Sequence, residues 1–386
     1  MDTKIFFVRR SGLMVLCLGL FALGCRYYEG DLPEIPEPPE QAFIGSANCA
    51  ICHSGIYDSF LNTGHPYILS ESTGEQGPTY PFTTVDHLPS GYSWNDISYV
   101  IGGYQWKANY IDSVGYIVTG DDAQWDFETE SADAYHKNVS PGTEVYDCGR
   151  CHTTGWVSVD EGGNPQNGLD GMGGEFYAQG VQCEQCHGQG AVHEYSKSKD
   201  DINVPGSELC GTCHSRNANN EIEAEDGFIG NYQQYSEMKA AGHSGLNCTD
   251  CHDPHKTSKH GQTGGIIRVC TDCHSDITNG ALHQDVADCM TCHMPHASKS
   301  TVVRSKYQAD IKTHIIKINT AADGVMFNED GTIANGSDGV TLDLICYRCH
   351  HDPNGAGGGE PGLEFTSRKT LEELSKYATG YHDRSE

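Results

Sequence analysis

The sequence predicts a mainly α-helical fold with much irregular structure and a small β-hairpin or sheet insert. Three observations support this prediction. Only 37% of the 386 residues are hydrophobic and 46 are glycine, which is little aliphatic material for a core of this length. Cysteine and histidine are in excess, at 18 and 20 residues. Short helical segments recur near them, whereas residues 97–120 are rich in β-branched and aromatic residues, as in a hairpin. We therefore expect something other than aliphatic side chains to fill the interior.

Sixteen of the 18 cysteines belong to eight Cys-x-x-Cys-His motifs. We number these motifs sites 1 to 8 in chain order: Cys49/Cys52/His53, Cys148/Cys151/His152, Cys183/Cys186/His187, Cys210/Cys213/His214, Cys248/Cys251/His252, Cys270/Cys273/His274, Cys289/Cys292/His293 and Cys346/Cys349/His350. Two thiols at this spacing form thioethers to one haem, and the histidine that follows is the proximal iron ligand. Zinc sites and disulfides also use paired cysteines, but neither requires a histidine after every pair. We therefore expect eight covalent haems, with the chain folded around them as a multihaem cytochrome c.

The second axial ligands are predicted to be histidines, because twelve remain after the eight proximal ones are set aside. Three follow a short helix and a glycine, a natural helix terminator. The last of these helices has Thr370 and Glu373 placed as a capping box. His255 and His296 each lie three residues after a proximal histidine, and a span of about 10 Å is too short to reach the opposite face of the same haem. The predicted distal ligands are His65, His193, His243, His255, His283, His296, His314 and His382.

The alternative for any one of these histidines is a surface position or a contact with a haem propionate. His87, His136, His260 and His351 remain outside the predicted set, and His351 is the weakest ligand candidate because it adjoins a proximal histidine.

The N-terminus predicts an exported, lipid-anchored protein. Residues 1–24 have basic residues followed by a short apolar stretch, as in a signal peptide. Cys25 ends that stretch as in a bacterial lipoprotein and is the predicted lipidation site. A plain secretory signal is the alternative. We expect the protein on the periplasmic side of the envelope or at the cell surface, with the outer membrane favoured.

Motif spacing predicts the domain organisation. The Pro/Glu-rich residues 25–40 form a tether, because such a composition stays extended and solvated. Residues 41–145 form a one-haem module with the β insert, 146–300 a six-haem core and 301–386 a C-terminal one-haem module. The acidic run at 121–133 is expected to be a solvated loop.

Several segments resemble the cytochrome c554/c′ family of multihaem cytochromes. They are FIGSANCAICH at 43–53, IGGYQWK at 101–107, CHTTGW at 151–156 and CEQCHG at 183–188. The resemblance implies a mostly helical, loop-rich fold with stacked and perpendicular haem pairs and mainly bis-histidine ligation. Relatives include electron carriers and octahaem enzymes that act on nitrogen or sulfur oxyanions. Such enzymes often mark the catalytic haem with an altered motif, and all eight motifs here are regular, so no catalytic residue is predicted.

Electron transfer through the haems at the cell envelope is therefore the leading hypothesis, with redox proteins as partners. One alternative is an octahaem oxidoreductase that acts on a small nitrogen or sulfur species at one open haem. Another is a homo-oligomer, a subunit of a haem filament. A net charge of −29 argues against nucleic-acid binding.

Overall fold

A computed structural model describes residues 37–217, 219–277, 283, 287–350 and 368–383 of the chain. The predicted signal peptide, Cys25 and His351 lie outside the described residues. The described residues from 41 onward form one compact unit, and the predicted divisions within it stay predictions. None of the described helices is long and apolar enough to cross a membrane.

The helices are short, and several of them contain the Cys-x-x-Cys-His motifs. They are α1 Ser46–Phe60, α2 Gly149–His152, α3 Cys183–His187, α4 Ala191–Ser196, α5 Ser207–Gly211, α6 Gln234–Ala240, α7 Cys289–His293, α8 Leu342–Cys346 and α9 Leu371–Ala378. The predicted capping box of α9 is confirmed: the amide of Glu373 donates to the Thr370 hydroxyl, and the Thr370 amide donates to the Glu373 carboxylate. Helices this short are not stable in isolation, so their formation depends on tertiary packing.

The first sheet is an antiparallel meander, with strands in the order β1-β2-β3-β4-β5. Its strands are β1 Leu69–Glu71, β2 Ile97–Gly102, β3 Lys107–Asp112, β4 Gly120–Asp126 and β5 Ser131–Tyr135. Both faces are covered: Val100 and Tyr110 pack in one cluster, and their chain neighbours Tyr99 and Ile111 pack in another. This alternation is the period of two that a strand imposes. The predicted hairpin is therefore present, as part of a larger sheet.

The second five-stranded sheet has the order β13-β12-β11-β10-β15 and is mixed, because β11 and β12 run parallel. Its strands are β10 Ile222–Glu225, β11 Phe228–Gly230, β12 Ser298–Ser305, β13 Gln308–Ile311 and β15 Ile333–Ala334. Ile229, Ala309 and Ile315 are fully buried in the cluster against it. Two-stranded pairs are β6 Thr153–Thr154 with β9 Ala178–Gln179, β7 Val157–Ser158 with β8 Gly174–Glu175, and β14 Ile318–Asn319 with β16 Val340–Thr341.

The prediction of a mainly α-helical fold is wrong. The described chain is 26% helical and 22% strand, in several sheets. The acidic run at 121–133 is not a loop but contributes to β4 and β5. The physical reason is that the strands are short and many pair with segments distant in sequence. The hydrophobic pattern within each strand therefore gives little indication of the sheet.

Candidate functional site

The attachment motifs adopt one helical turn, which places both thiols on one side. The amide of the motif histidine donates to the carbonyl of the first cysteine at five sites. These bonds are His152 to Cys148 at 3.2 Å, His214 to Cys210 at 2.8 Å, His252 to Cys248 at 2.9 Å, His274 to Cys270 at 2.9 Å and His350 to Cys346 at 2.8 Å. Side chains three positions apart lie on one face of such a turn. The local backbone therefore suits two thioethers to one porphyrin.

All eight motifs line one shared cavity of about 3210 Å³. Its lining includes all 16 motif cysteines, the eight motif histidines and the eight histidines predicted as distal ligands. A site for one drug-sized ligand has a volume of about 300–1,000 Å³, so this cavity has room for several large cofactors.

Seven motif histidines face a second imidazole across the cavity. The ring centres are 6.3 Å apart for His53 and His193, 6.1 Å for His187 and His255, 6.4 Å for His214 and His65, 6.2 Å for His252 and His314, 6.1 Å for His274 and His243, 6.0 Å for His293 and His382, and 6.3 Å for His350 and His283. His255 thus lies opposite a histidine of another motif rather than opposite His252.

This spacing fits one iron between each pair of rings. A metal–imidazole bond is about 2 Å long and the ring centre lies about 1 Å beyond the nitrogen, so two rings on opposite sides of one metal have centres about 6 Å apart. The residues present therefore fit a haem with two histidine ligands at each of these sites.

Backbone carbonyls orient several of these rings. The Nδ1 atoms of His187, His193 and His293 lie 2.7, 2.8 and 2.8 Å from the carbonyl oxygens of Asn203, Ser198 and Ile316. A carbonyl oxygen only accepts, so Nδ1 carries the proton and Nε2 keeps the lone pair that an iron needs.

Burial keeps other imidazoles neutral. Burial, helped by neighbouring histidines at His65 and His314, lowers the pKa of His65, His152 and His314 to about 4 in each case. A neutral imidazole is the form that binds metal. These side chains are therefore ready to act as ligands at neutral pH.

Site 2 differs from the other seven. Within the described ranges, His152 is the motif histidine with no second imidazole opposite it. Tyr135 lines the cavity close to Cys148. Burial, with the nearby Cys148, raises the pKa of Tyr135 to about 12, so its hydroxyl stays protonated at neutral pH. His296, the remaining predicted distal ligand, lines the cavity with its Nδ1 3.3 Å from the Ala309 carbonyl oxygen.

The histidines left outside the predicted set have other contacts where they are described. His87 stacks on Trp125 with ring centres 3.6 Å apart, and the Nδ1 of His136 lies 3.0 Å from the Glu144 carboxylate. The Nε2 of His260 lies 2.9 Å from the Tyr104 carbonyl oxygen.

Two supporting residues were missed by sequence reasoning. Glu237, on α6, is buried and accepts hydrogen bonds from the His314 amide and from the Thr313 hydroxyl, the latter at 2.7 Å. Gln234, one turn earlier, has its Oε1 3.2 Å from Nδ1 of His214. The sequence signal that could have indicated Glu237 is a carboxylate beside apolar residues in a short predicted helix. Nothing in the sequence distinguishes Gln234.

Two family models of multihaem cytochromes match parts of this chain. The cytochrome c3 model matches residues 176–275, and the cytochrome c554 and c-prime model matches residues 121–188. The sequence has no match among curated proteins.

Among solved structures, the octahaem sulfite reductase MccA (form II) of Wolinella succinogenes matches with a TM-score of 0.58 and 17% identity, over 89% of this chain and 72% of that chain. The outer cell wall cytochrome OcwA matches with a TM-score of 0.49 and 16% identity, over 86% of each chain. The undecahaem cytochrome from the S-layer of Carboxydothermus ferrireducens has a TM-score of 0.43 and 16% identity, over 74% of this chain and 55% of that chain. At such identity the likeness to the MccA structure concerns the fold alone.

Proposed function

This chain is a multihaem c-type cytochrome with covalently bound haem c and a redox role, and we propose that it holds eight haems and conducts electrons between redox proteins. The observation that carries the proposal is the set of seven facing imidazole pairs, with ring centres 6.0–6.4 Å apart. The haems supply iron that changes oxidation state by one electron. An iron with two protein ligands has no position for a substrate, which suits electron transfer.

The angles between the facing rings provide a spectroscopic test. The ring planes are close to parallel at sites 1, 3 and 7, with angles of 18°, 6° and 14°. They are close to perpendicular at sites 4, 6 and 8, with angles of 88°, 85° and 84°. Parallel planes split the iron d orbitals strongly and give rhombic low-spin EPR signals, whereas perpendicular planes give highly anisotropic ones.

EPR of the oxidised holoprotein is therefore expected to show both classes of low-spin signal in similar amounts. Haem content by mass spectrometry accompanies it and tests the number eight. A spectrum with high-spin iron at most sites would contradict the proposed ligation.

The proposed location is the periplasmic side of the bacterial envelope or the cell surface, with the outer membrane favoured and Cys25 lipidated after removal of residues 1–24. The signal-like sequence and the tether at 25–40 support this. Metabolic labelling with palmitate tests it: label is expected in the wild type and absent from Cys25→Ser. Label in neither protein would indicate a plain secretory signal.

A second candidate function is redox chemistry on a small nitrogen or sulfur species at site 2. Its support is the make-up of that site, where one imidazole and Tyr135 line the cavity and burial raises the pKa of Tyr135 to about 12. An iron with one protein ligand keeps a position open for a substrate. Carbon monoxide should then bind to about one haem per chain of the reduced protein. If no carbon monoxide binds, this candidate is eliminated, and electron conduction between redox proteins remains as the proposed function.

A further inference from the structure

We propose that Lys259 binds an anionic oxygen group beside the haem of site 5. The group is a carboxylate of the cofactor or a dissolved oxyanion, because both present the negatively charged oxygens that an ammonium group recognises. The proposal rests on the proposed function, since it requires a haem between His252 and His314. It goes beyond that function because it assigns a binding role to a side chain outside the attachment motifs and the ligand pairs.

Lys259 belongs to a loop that is closed at site 5. We call residues 253–265 the lysine loop. The Asp253 amide donates to the Gly265 carbonyl at 3.0 Å. The adjacent motif histidine, His252, forms an antiparallel bridge with Ile266. The lysine loop therefore begins and ends at the motif histidine of site 5.

His260 anchors the middle of the lysine loop to the first sheet. Its Nε2 atom lies 2.9 Å from the Tyr104 carbonyl oxygen. Its ring stacks on the Phe82 ring with centres 4.9 Å apart and stands perpendicular to the Tyr104 ring at 4.8 Å. His260, which lies outside the predicted ligand set, thus holds the loop in place.

The anchored loop fixes the position of Lys259. The Lys259 amide donates to the Thr257 hydroxyl at 3.0 Å, and the ammonium nitrogen lies 4.8 Å from the centre of the Trp106 ring. The face of an aromatic ring attracts a cation but does not neutralise its charge. Trp106 and His260 both have left-handed backbone conformations, with φ of 59° and 52°. Strained residues of this kind persist where the surrounding structure holds them, and they cluster at functional sites.

Among the residues that the structure describes, no carboxylate lies within 4.0 Å of the Lys259 ammonium group. Although Lys259 is exposed, desolvation by the surrounding protein and the like charge of Lys312 lower its pKa. Asp310 acts in the opposite direction, but its carboxylate accepts four hydrogen bonds from residues 300–302 of β12. Lys259 and Lys312 both line the cavity. An anion in the cavity would therefore stabilise two neighbouring cations.

The position of Lys259 also affects the iron of site 5. Burial is the main cause of the lowered pKa of His252 and His314, and the Lys259 charge contributes to both. A cation favours Fe(II) over Fe(III), because Fe(III) has one more positive charge to repel it. Lys259 therefore raises the reduction potential of site 5 in a chain whose net charge is −29.

A redox titration followed by EPR tests this site, because the ligand geometry gives site 5 its own signal. Its ring planes meet at 35°. The planes of the other six pairs meet at 6–18° or at 84–88°. The intermediate low-spin signal therefore reports the oxidation state of site 5 alone.

Lys259→Met should weaken the reduction of site 5 about tenfold, a fall of about 59 mV in its potential. Lys259→Arg keeps the charge and should keep the wild-type potential. Lys299→Met is the matched control, because Lys299 is paired with Asp226 at 3.6 Å and lies outside the cavity lining. It should leave the potential of site 5 unchanged.

Inorganic phosphate distinguishes the two sources of the anion. The titrations are done in a phosphate-free zwitterionic buffer and repeated with phosphate at constant ionic strength. If phosphate lowers the site 5 potential of the wild type but not of Lys259→Met, the anion is a dissolved oxyanion. If phosphate changes neither protein and Lys259→Met has the lower potential, the anion is a cofactor carboxylate. Either result supports the site.

Equal site 5 potentials in wild type and Lys259→Met would overturn the anion site. An equal fall in Lys299→Met would overturn it as well, since the effect would then follow net charge alone. Both outcomes leave the proposed function intact. A wild type without the intermediate EPR signal would instead contradict the ligation proposed for site 5, and the anion site with it.

Discussion

Site 2 and the seven other sites share one motif but are built differently. At each of the seven, a second imidazole faces the motif histidine with ring centres 6.0–6.4 Å apart. At site 2, His152 and Tyr135 line the cavity, and residues that flank the motif pack on the first sheet. Tyr146 and Trp156, on either side of the motif, belong to the cluster on one face of that sheet.

The comparison shows that a regular motif does not determine whether a second imidazole faces its histidine. The imidazoles that face the motif histidines at the seven paired sites come from short helices, helical turns and loops. A sheet face presents side chains on fixed strands with fixed alternation, so it offers fewer ways to bring an imidazole to the iron. The region around a site therefore decides whether a second imidazole faces its motif histidine.

The largest expected effect comes from making a paired site resemble site 2. His193→Gly should convert site 1 from low-spin to high-spin iron, because no other side chain would replace the lost ligand. Carbon monoxide binding should rise by about one haem per chain. His87→Gly is the matched control, since that ring stacks on Trp125 outside the cavity lining. Equal spectra for His193→Gly and wild type would show that His193 is not a ligand.

The next effect concerns Glu237, a support of paired site 5. Burial raises its pKa to about 7 from an ordinary value of 4.5. The Glu237 carboxyl therefore ionises at a lower pH in the unfolded chain than in the folded protein. The stability that protonated Glu237 contributes is complete below pH 4.5 and is lost as the pH rises to about 7. The loss is at most about 3 kcal/mol.

Glu237→Gln should remove that slope, because the amide does not titrate over this range. Denaturant unfolding at a series of pH values gives the free energy of unfolding for both proteins. Parallel pH profiles for variant and wild type would contradict the raised pKa.

A smaller effect compares one motif position at site 2 and site 4. Gly149 and Gly211 each follow the first cysteine of their motif. A Cβ at Gly149 would lie 1.9 Å from the Trp156 ring, whereas one at Gly211 would lie 2.8 Å from the Tyr235 ring. Overpacking of this kind costs about 1–3 kcal/mol. Gly149→Ala should therefore lower the melting temperature more than Gly211→Ala, and a reversed order would show that the sheet packing at site 2 is loose.

Local patterns predicted part of this molecule correctly. The capping box of α9 and the hairpin at 97–120 depend on residues close in sequence, and both are present. The fold class was wrong because the second sheet pairs β11 with β12 and β10 with β15 across long intervals. Strands of two to eight residues are too short to show a reliable hydrophobic periodicity.

The sequence by itself determined the attachment chemistry, because it contains eight pairs of thiols, each followed by a histidine, and twelve further histidines. A covalent attachment motif is local, so its residues need no fold to be recognised. Only the tertiary structure decided which imidazole faces which motif, as with His65 opposite His214 and His193 opposite His53. It also decided that Glu184 draws site 3 to site 1. These relations join residues distant in the chain, and contact over such distances follows from packing and loop closure rather than from any local pattern.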